Sequence, residues 1–212
     1  MRATRDARGV QGYCRACDAA VGLRGAWPGR CAACATPAEE EPVPDVVAPA
    51  LRVLFVGINP GVQTARARLH FANPQNAFWG ALHESGLTPR RLPPREQREL
   101  LELGMGITNA VMRATPGSAD VTPEDVARGR ARLARLVAHA RPAWLAFVGK
   151  EAHRMATQAK AAPLGPAPAW EGARVFVLPS TSPRNAHLSP AQKVAWFAKL
   201  KEEVAAADAA AG

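Results

Sequence analysis

Leu51-Arg52-Val53-Leu54-Phe55-Val56-Gly57 runs directly into Ile58-Asn59-Pro60-Gly61. The first seven residues are a nearly unbroken apolar run, rich in large and β-branched side chains, which suits a strand buried on both faces. The next four cannot extend it, because Pro60 lacks a backbone donor and Asn and Gly favour a tight turn. Residues 144–149 (WLAFVG) and 174–179 (RVFVLP) repeat the apolar pattern, while residues 76–85, 124–139 and 150–158 have helical spacing. Strand and helix therefore alternate, and the expected fold is α/β: a three-layer αβα sandwich around a central, mainly parallel sheet. The last helix has the clearest start, with Ser189 as N-cap, Pro190 at the first helical position and Gln192 completing a capping box. Its Val194, Phe197 and Val204 lie near one face and are expected to dock on the sheet, and the Ala-rich residues 205–212 are expected to fray.

Composition divides the chain around this pattern. Residues 1–35 hold all four cysteines, residues 36–49 (TPAEEEPVPDVVAP) are rich in proline and acid and read as a linker, and residues 50–212 carry the expected catalytic domain. Cys14 and Cys17 form one CxxC pair and Cys31 and Cys34 another, with 13 residues between the pairs. Two short turns of this kind can bring four thiolates to one tetrahedral ion, so a small zinc-ribbon-like module with structural zinc is expected. Four thiolates can also hold an iron-sulfur cluster, although short, close knuckles favour zinc. With every position filled by sulfur the ion has no open place for chemistry, and no catalytic cofactor is expected.

The chain has 27 Lys and Arg against 18 Asp and Glu, a formal charge of +9, which favours a polyanionic partner through counterion release. Its 212 residues suffice for one well-filled core and a small appendage. No apolar stretch approaches the roughly 20 residues that span a bilayer, and the N-terminus lacks an apolar signal core. The expectation is a cytoplasmic, nucleoid-associated monomer with DNA, not membrane, as its partner.

The turn at Asn59 sits where a parallel sheet normally places its ligand site. It is accompanied by Leu69-His70-Phe71, Asn76-Ala77-Phe78-Trp79, Gly106-Ile107-Thr108-Asn109, Arg113-Ala114-Thr115-Pro116-Gly117-Ser118 and Leu178-Pro179-Ser180-Thr181-Ser182-Pro183-Arg184. In this order the segments resemble the mismatch-specific uracil and thymine DNA glycosylases, a branch of the uracil-DNA glycosylase superfamily, over residues 50–205. The resemblance implies a monofunctional glycosylase that removes uracil, or thymine or a modified cytosine, from G·U-type mispairs in double-stranded DNA during base excision repair. It implies Asn59 as the catalytic asparagine with Ile58 beside the base, and Phe71 as the ring on which the flipped base stacks. Asn109 would face the base from another strand, Thr64 would lie near the pyrimidine C5 edge, and Arg184 would sit in the loop that enters the duplex. The cysteine module lies outside the resemblance.

The residue types suit that chemistry. Breaking a nucleoside bond makes the sugar cationic and the departing base anionic, so a site must hold water beneath C1′ and offer hydrogen bonds to the base. The Asn59 carboxamide can orient water but cannot take up a proton, so turnover is expected to be slow, with positioning and leaving-group stabilisation supplying the acceleration. The alternative for Asn59, and equally for Asn109, is a turn cap. Phe71 follows a polar loop, which suits an exposed stacking ring, with ordinary core packing as the alternative. His70 can hold the water, contact phosphate or serve as a satisfied structural histidine. Asn76 opens a helix and reads first as its cap, with a supporting role near the base as the second reading. Ser180 and Ser182 can grip phosphates while Arg184 fills the gap left by the flipped nucleotide, against a plain surface loop. Arg128, Arg130, Arg132 and Arg135 read as a solvated helix face. No lysine stands at a recognised nucleophile position, which disfavours a strand-cleaving lyase. Two other functions fit the same residues: a zinc protein that binds mismatched or damaged DNA with little catalysis, and a glycosylase for deaminated purines or alkylated cytosine.

Overall fold

The computed structural model describes residues 4–6, 9–13, 20–22, 43–185 and 187–211. Three short N-terminal strands, β1 (Thr4–Asp6), β2 (Gly9–Tyr13) and β3 (Ala20–Gly22), form an antiparallel sheet in that order. Cys14, Cys17, Cys31 and Cys34, on which the zinc expectation rests, lie outside the described residues.

The apolar run that begins the strand–helix alternation contains β4 (Val53–Gly57), buried along its whole length. It pairs in parallel with β5 (Met105–Asn109) on one side and β6 (Trp144–Val148) on the other. Two further strands, β7 (Gly165–Trp170) and β8 (Ala173–Leu178), complete a five-stranded sheet of order β5-β4-β6-β8-β7, in which β8 is parallel to β6 and β7 is antiparallel to β8. Among the described residues five α-helices accompany it: α1 (Val62–Ala67), α2 (Phe78–Glu84), α3 (Pro123–Ala140), α4 (Lys150–Thr157) and α5 (Pro190–Ala211).

Period-two alternation in β4 explains the layers. Val53 and Phe55 face Phe78, Leu82, Phe197 and Leu200 from α2 and α5, while Leu54 and Val56 face Leu133, Val137, Ala152 and Ala156 from α3 and α4. Each large side chain so buried contributes about 1.5–3 kcal/mol. Phe55 meets Phe78 edge-on at 5.4 Å and stacks on Phe197 at 6.3 Å, which locks α2 and α5 against the centre of the sheet.

The two longest helices start on side-chain caps. Thr122 caps α3, its hydroxyl accepting from the Asp125 N–H at 3.2 Å while Asp125 Oδ2 accepts from the Thr122 N–H at 3.1 Å. At α5 the expected box is present: Gln192 N–H donates to Ser189 Oγ at 3.2 Å and Ser189 N–H to Gln192 Oε1 at 2.8 Å. The expected fraying from residue 205 is corrected, because α5 remains helical to Ala211. Val204 is buried, and the exposed Arg52 guanidinium reaches Asp208 at 2.6 Å, so the last turns have packing and an ion pair behind them.

Residues 43–47, within the stretch that composition reads as a linker, are part of the core. Val43, Val46 and Val47 are buried, and Val46 exchanges both backbone hydrogen bonds with Ile107 of β5 at 2.8 and 2.9 Å. Asp45 is buried against Arg132 of α3, and the Thr108 hydroxyl donates to Asp45 at 2.7 Å. The solvated-face reading of α3 is therefore corrected at Arg132, which is interior. Arg128 stays exposed but pairs with Asp125 at 2.9 Å, and Arg130 Nε donates to the Ala156 carbonyl at 3.1 Å. Among the described residues no helix is long and apolar enough to cross a membrane.

Candidate active site

The parallel register brings Gly57, the last residue of β4, level with Asn109, the last of β5. A Cβ on Gly57 would stand 2.5 Å from Asn109 Oδ1, so only glycine allows the two strand ends to meet with the carboxamide in place. A cavity of about 1130 Å³ opens here, at the carboxyl ends of the parallel strands where α/β sheets bind ligands. It exceeds the ~300–1,000 Å³ usual for a small ligand and extends as a groove to the loop after β8.

The Ile58-Asn59-Pro60-Gly61 turn is stitched to the segment after β5. Ala110, Val111 and Thr115 N–H groups donate to the carbonyls of Gly57, Ile58 and Pro60 at 2.8, 2.8 and 3.1 Å. Asn59 Nδ2 then has three acceptors: Thr115 Oγ1 at 2.7 Å and the carbonyls of Arg113 and Pro60, each at 3.2 Å. With its NH₂ engaged on the protein side, the carboxamide retains Oδ1 as acceptor, and the residue lines the cavity. Thr115 is itself held, donating to the Gly117 carbonyl. The Arg113 end of this segment is anchored by the Asp125 carboxylate at 2.7 Å. Burial alone pushes the Asp125 carboxyl up, but hydrogen bonds from Thr122, Arg113 and Arg128 outweigh it and hold the group well below the usual carboxylate range.

Phe71 lines the same cavity and stacks on Phe78 at 3.9 Å with 19° between the rings. Its φ of 51° is left-handed, unusual for a bulky residue and maintained by the bonds around it. His70 N–H donates to Gln97 Oε1 at 2.8 Å, and the His70 carbonyl accepts from Trp79 Nε1 at 3.2 Å. Ile58, Thr64, Asn76, Ser180, Ser182 and Arg184 also line the cavity. Asn76 serves at the same time as a local cap, its Oδ1 accepting from the Phe78 N–H at 3.0 Å.

Asn109 is only 4% exposed yet reaches the cavity. His70, 1% exposed, stands behind it and is not among the residues that line the cavity, a placement that suits the satisfied structural histidine among its three readings. Its Nε2 lies 2.9 Å from the Pro44 carbonyl, which can only accept, so Nε2 carries the proton and Nδ1 accepts from Asn109 Nδ2 at 3.4 Å. Arg132 donates to the Asn109 carbonyl at 3.1 Å. The 43–47 segment thus reaches Asn109 by two routes, through His70 to the side chain and through Arg132 to the backbone.

At the rim, Ser180 Oγ accepts from the Ser182 N–H and Ser182 Oγ from the Arg184 N–H, each at 3.3 Å, and the Arg184 guanidinium crosses the opening to the Pro116 carbonyl at 2.9 Å. Lys150 and Arg154 of α4 also border the groove. His153, on the inner face of α4, packs edge-on against Phe147 at 5.3 Å. Burial, and secondarily the neighbouring Arg154 charge, lowers the His153 pKa from its ordinary value. Sequence reasoning assigned no role to Thr115, Pro44, Asp45 or Lys193. Thr115 stood inside a quoted motif and Lys193 only eight residues beyond its partner Asn185, whereas Pro44 and Asp45 depend on contacts distant in sequence. Among the described residues no group of three or more His, Cys, Asp or Glu side chains could hold a metal ion.

The cavity sets an aromatic ring, Phe71, beside two carboxamides, Asn59 and Asn109, and its rim carries Lys150, Arg154 and Arg184, an arrangement with room for a flat heterocycle and cations for an anionic chain. The chain belongs to the uracil DNA glycosylase superfamily, whose family model matches residues 44–204. Its fold is similar to that in the solution NMR structure of a candidate uracil DNA glycosylase from Methanosarcina acetivorans, with 18% identity, a TM-score of 0.52, and coverage of 76% of this chain and 98% of that one.

Proposed function

We propose that the protein is a monofunctional, mismatch-specific uracil-DNA glycosylase that flips uracil from G·U mispairs and hydrolyses its N-glycosidic bond. The observation that carries this reading is the Asn59 carboxamide, its NH₂ held by Thr115, Arg113 and Pro60, beside a cavity shared with Phe71 and Asn109. In this mechanism Asn59 Oδ1 accepts a hydrogen bond from one water and aims it at C1′ as the bond to the base stretches. Phe71 stacks on the extruded base, a contact worth about 1–3 kcal/mol. Asn109 pairs with the uracil edge and supports negative charge as the base departs. Thr64 borders the C5 position, and Ser180 and Ser182 meet phosphates. Arg184 exchanges the Pro116 carbonyl for the space left in the duplex, giving up one exposed hydrogen bond. Flipping costs a few kcal/mol and least at a mispair, so G·U is favoured over A·U.

The four cysteines are assigned to structural zinc in this proposal, since four thiolates complete a tetrahedral site. A colourless preparation with one zinc per chain is the expected result, and iron with visible absorption would replace that assignment.

The activity is tested with oligonucleotides carrying G·U, A·U, G·T, G·C, single-stranded uracil, deaminated purines and alkylated cytosine, cleaving abasic sites with alkali. Uracil release that is fastest from G·U and lost in Asn59→Ala supports the reading. Equal product from wild type and Asn59→Ala removes the mechanism, and mismatch binding with no abasic product at long times makes the protein a damage-binding module instead.

A further inference from the structure

Lys193, in the first turn of α5, is only 7% exposed. It occupies a position that stability alone does not explain. A cation near a helix N-terminus opposes the helix dipole, and removing an ammonium from water is expensive unless it is well bonded. Its Nζ donates to the Asn185 carbonyl at 2.8 Å. Asn185 follows Arg184 directly, and its N–H closes a turn on the Ser182 carbonyl at 3.0 Å. The near end of this loop is tied to the start of α2, where the Ala77 N–H donates to the Thr181 carbonyl at 3.0 Å. Its far end is the Ser189–Gln192 box. Lys193 ties the middle, at the residue next to the arginine, to the body of the helix.

We propose that Lys193 is a positioning residue that holds the 182–185 turn and so aims Arg184 at the duplex, an inference that rests on the glycosylase reading above for its effect on DNA. Lys193 touches neither base nor sugar; it acts through Asn185. Its loss therefore weakens the step that needs a wedge, opening of the duplex, and spares excision from a strand that is already open.

The test compares full-length wild type with Lys193→Met, which keeps the apolar stem, and Lys193→Arg. Single-turnover uracil excision is measured on duplex G·U and on single-stranded DNA, together with melting temperature and, in the free protein, tryptic cleavage after Arg184 followed by mass spectrometry. Loss of one hydrogen bond to a charged donor corresponds to about a tenfold change. Lys193→Met is expected to lose about that factor on duplex DNA, keep its single-strand rate and melting temperature, and be cut after Arg184 about tenfold faster, with Lys193→Arg recovering most of the duplex rate. Equal losses on both DNA substrates, or an unchanged duplex rate, overturn the proposal. Unchanged cleavage after Arg184 overturns the anchoring itself, whether or not the protein is active. Accelerated cleavage in a protein that releases no uracil leaves the anchor standing and refutes the glycosylase reading.

Discussion

The carboxamide nitrogen of Asn59 lies 2.7 Å from the hydroxyl of Thr115, a residue of the segment after β5 that is stitched to the turn carrying the asparagine. The same hydroxyl donates onward to the Gly117 carbonyl, so one threonine fixes both the amide plane and the loop that receives Arg184. Thr115→Val keeps the shape and removes both bonds. Uracil excision is expected to fall about tenfold in single-turnover assays, the effect of freeing the Asn59 amide, while affinity for abasic product changes little. An unchanged rate would mean that Asn59 is held without Thr115.

Asn59→Asp introduces a proton acceptor, but it also sets a negatively charged oxygen where the amide nitrogen now donates to the Pro60 and Arg113 carbonyls, both 3.2 Å away. Repulsion from two carbonyl oxygens turns the side chain out of its cradle. The variant is expected to excise uracil more slowly than wild type between pH 6 and 8, roughly the range in which an aspartate is fully ionised. A faster variant would show that the cradle tolerates a carboxylate and that proton uptake limits the natural enzyme.

Gly57→Ala puts a methyl group into space held by Asn109 Oδ1. Overpacking of this kind costs about 1–3 kcal/mol, and here the strain falls on the carboxamide assigned to the base. The expected outcome is a modest drop in melting temperature with a much larger loss of uracil excision; equal and small effects on both would show that Asn109 is not needed in its present place.

Asp45 and Arg132 form a buried ion pair that joins the 43–47 segment to α3. Asp45→Ala leaves a guanidinium in the interior and is expected to lower stability by about 3–5 kcal/mol, read by chemical denaturation. Pairing it with Arg132→Met should restore part of that loss, because no charge is then stranded. Additive losses would mean that the two side chains do not act as a pair.

Two groups give the stability a dependence on pH of the same sign in separate windows. The His153 imidazole has a folded-state pKa below its ordinary value of 6.5, so its neutral form belongs to the fold; the stabilisation is present above pH 6.5 and is lost as pH falls below it. The Asp125 carboxyl is depressed below 3.8, so its contribution is complete above that pH and fades on further acidification. His153→Leu should therefore flatten the fall in melting temperature below pH 6.5 and leave the lower limb intact. An unaltered slope there would exclude His153 as its source.

The centre of the fold was legible because its signals are local. The apolar run at Val53 ends at a turn, the Ser189 box writes a helix start in four residues, and Asn59 follows a strand while Asn109 ends one, each within its own segment. What escaped depends on distance along the chain. Asp45 and Arg132 are 87 residues apart, and nothing near either marks it as a partner. Residues 165–170 (GPAPAW) carry turn chemistry yet form β7, because β8 supplies the pairing. The tail of α5 has helix-forming alanines throughout, but its order rests on Val204 and Arg52, which composition does not reveal. His70 was recognised as a polar residue of the site region, and only the fold shows that its ring turns inward to Asn109 and Pro44.

The sheet ends on both sides in ways that discourage growth. On the outer side of β5 the free backbone groups of Ile107 are taken by Val46, and on the other margin β7 carries Pro166 and Pro168, which offer no N–H to a newcomer. A foreign strand therefore finds no open ladder to extend at these positions. The Val46 that covers β5 belongs to the same 43–47 segment that reaches Asn109 through His70 and Arg132, so weakening that lacing should reduce solubility as well as the proposed uracil excision.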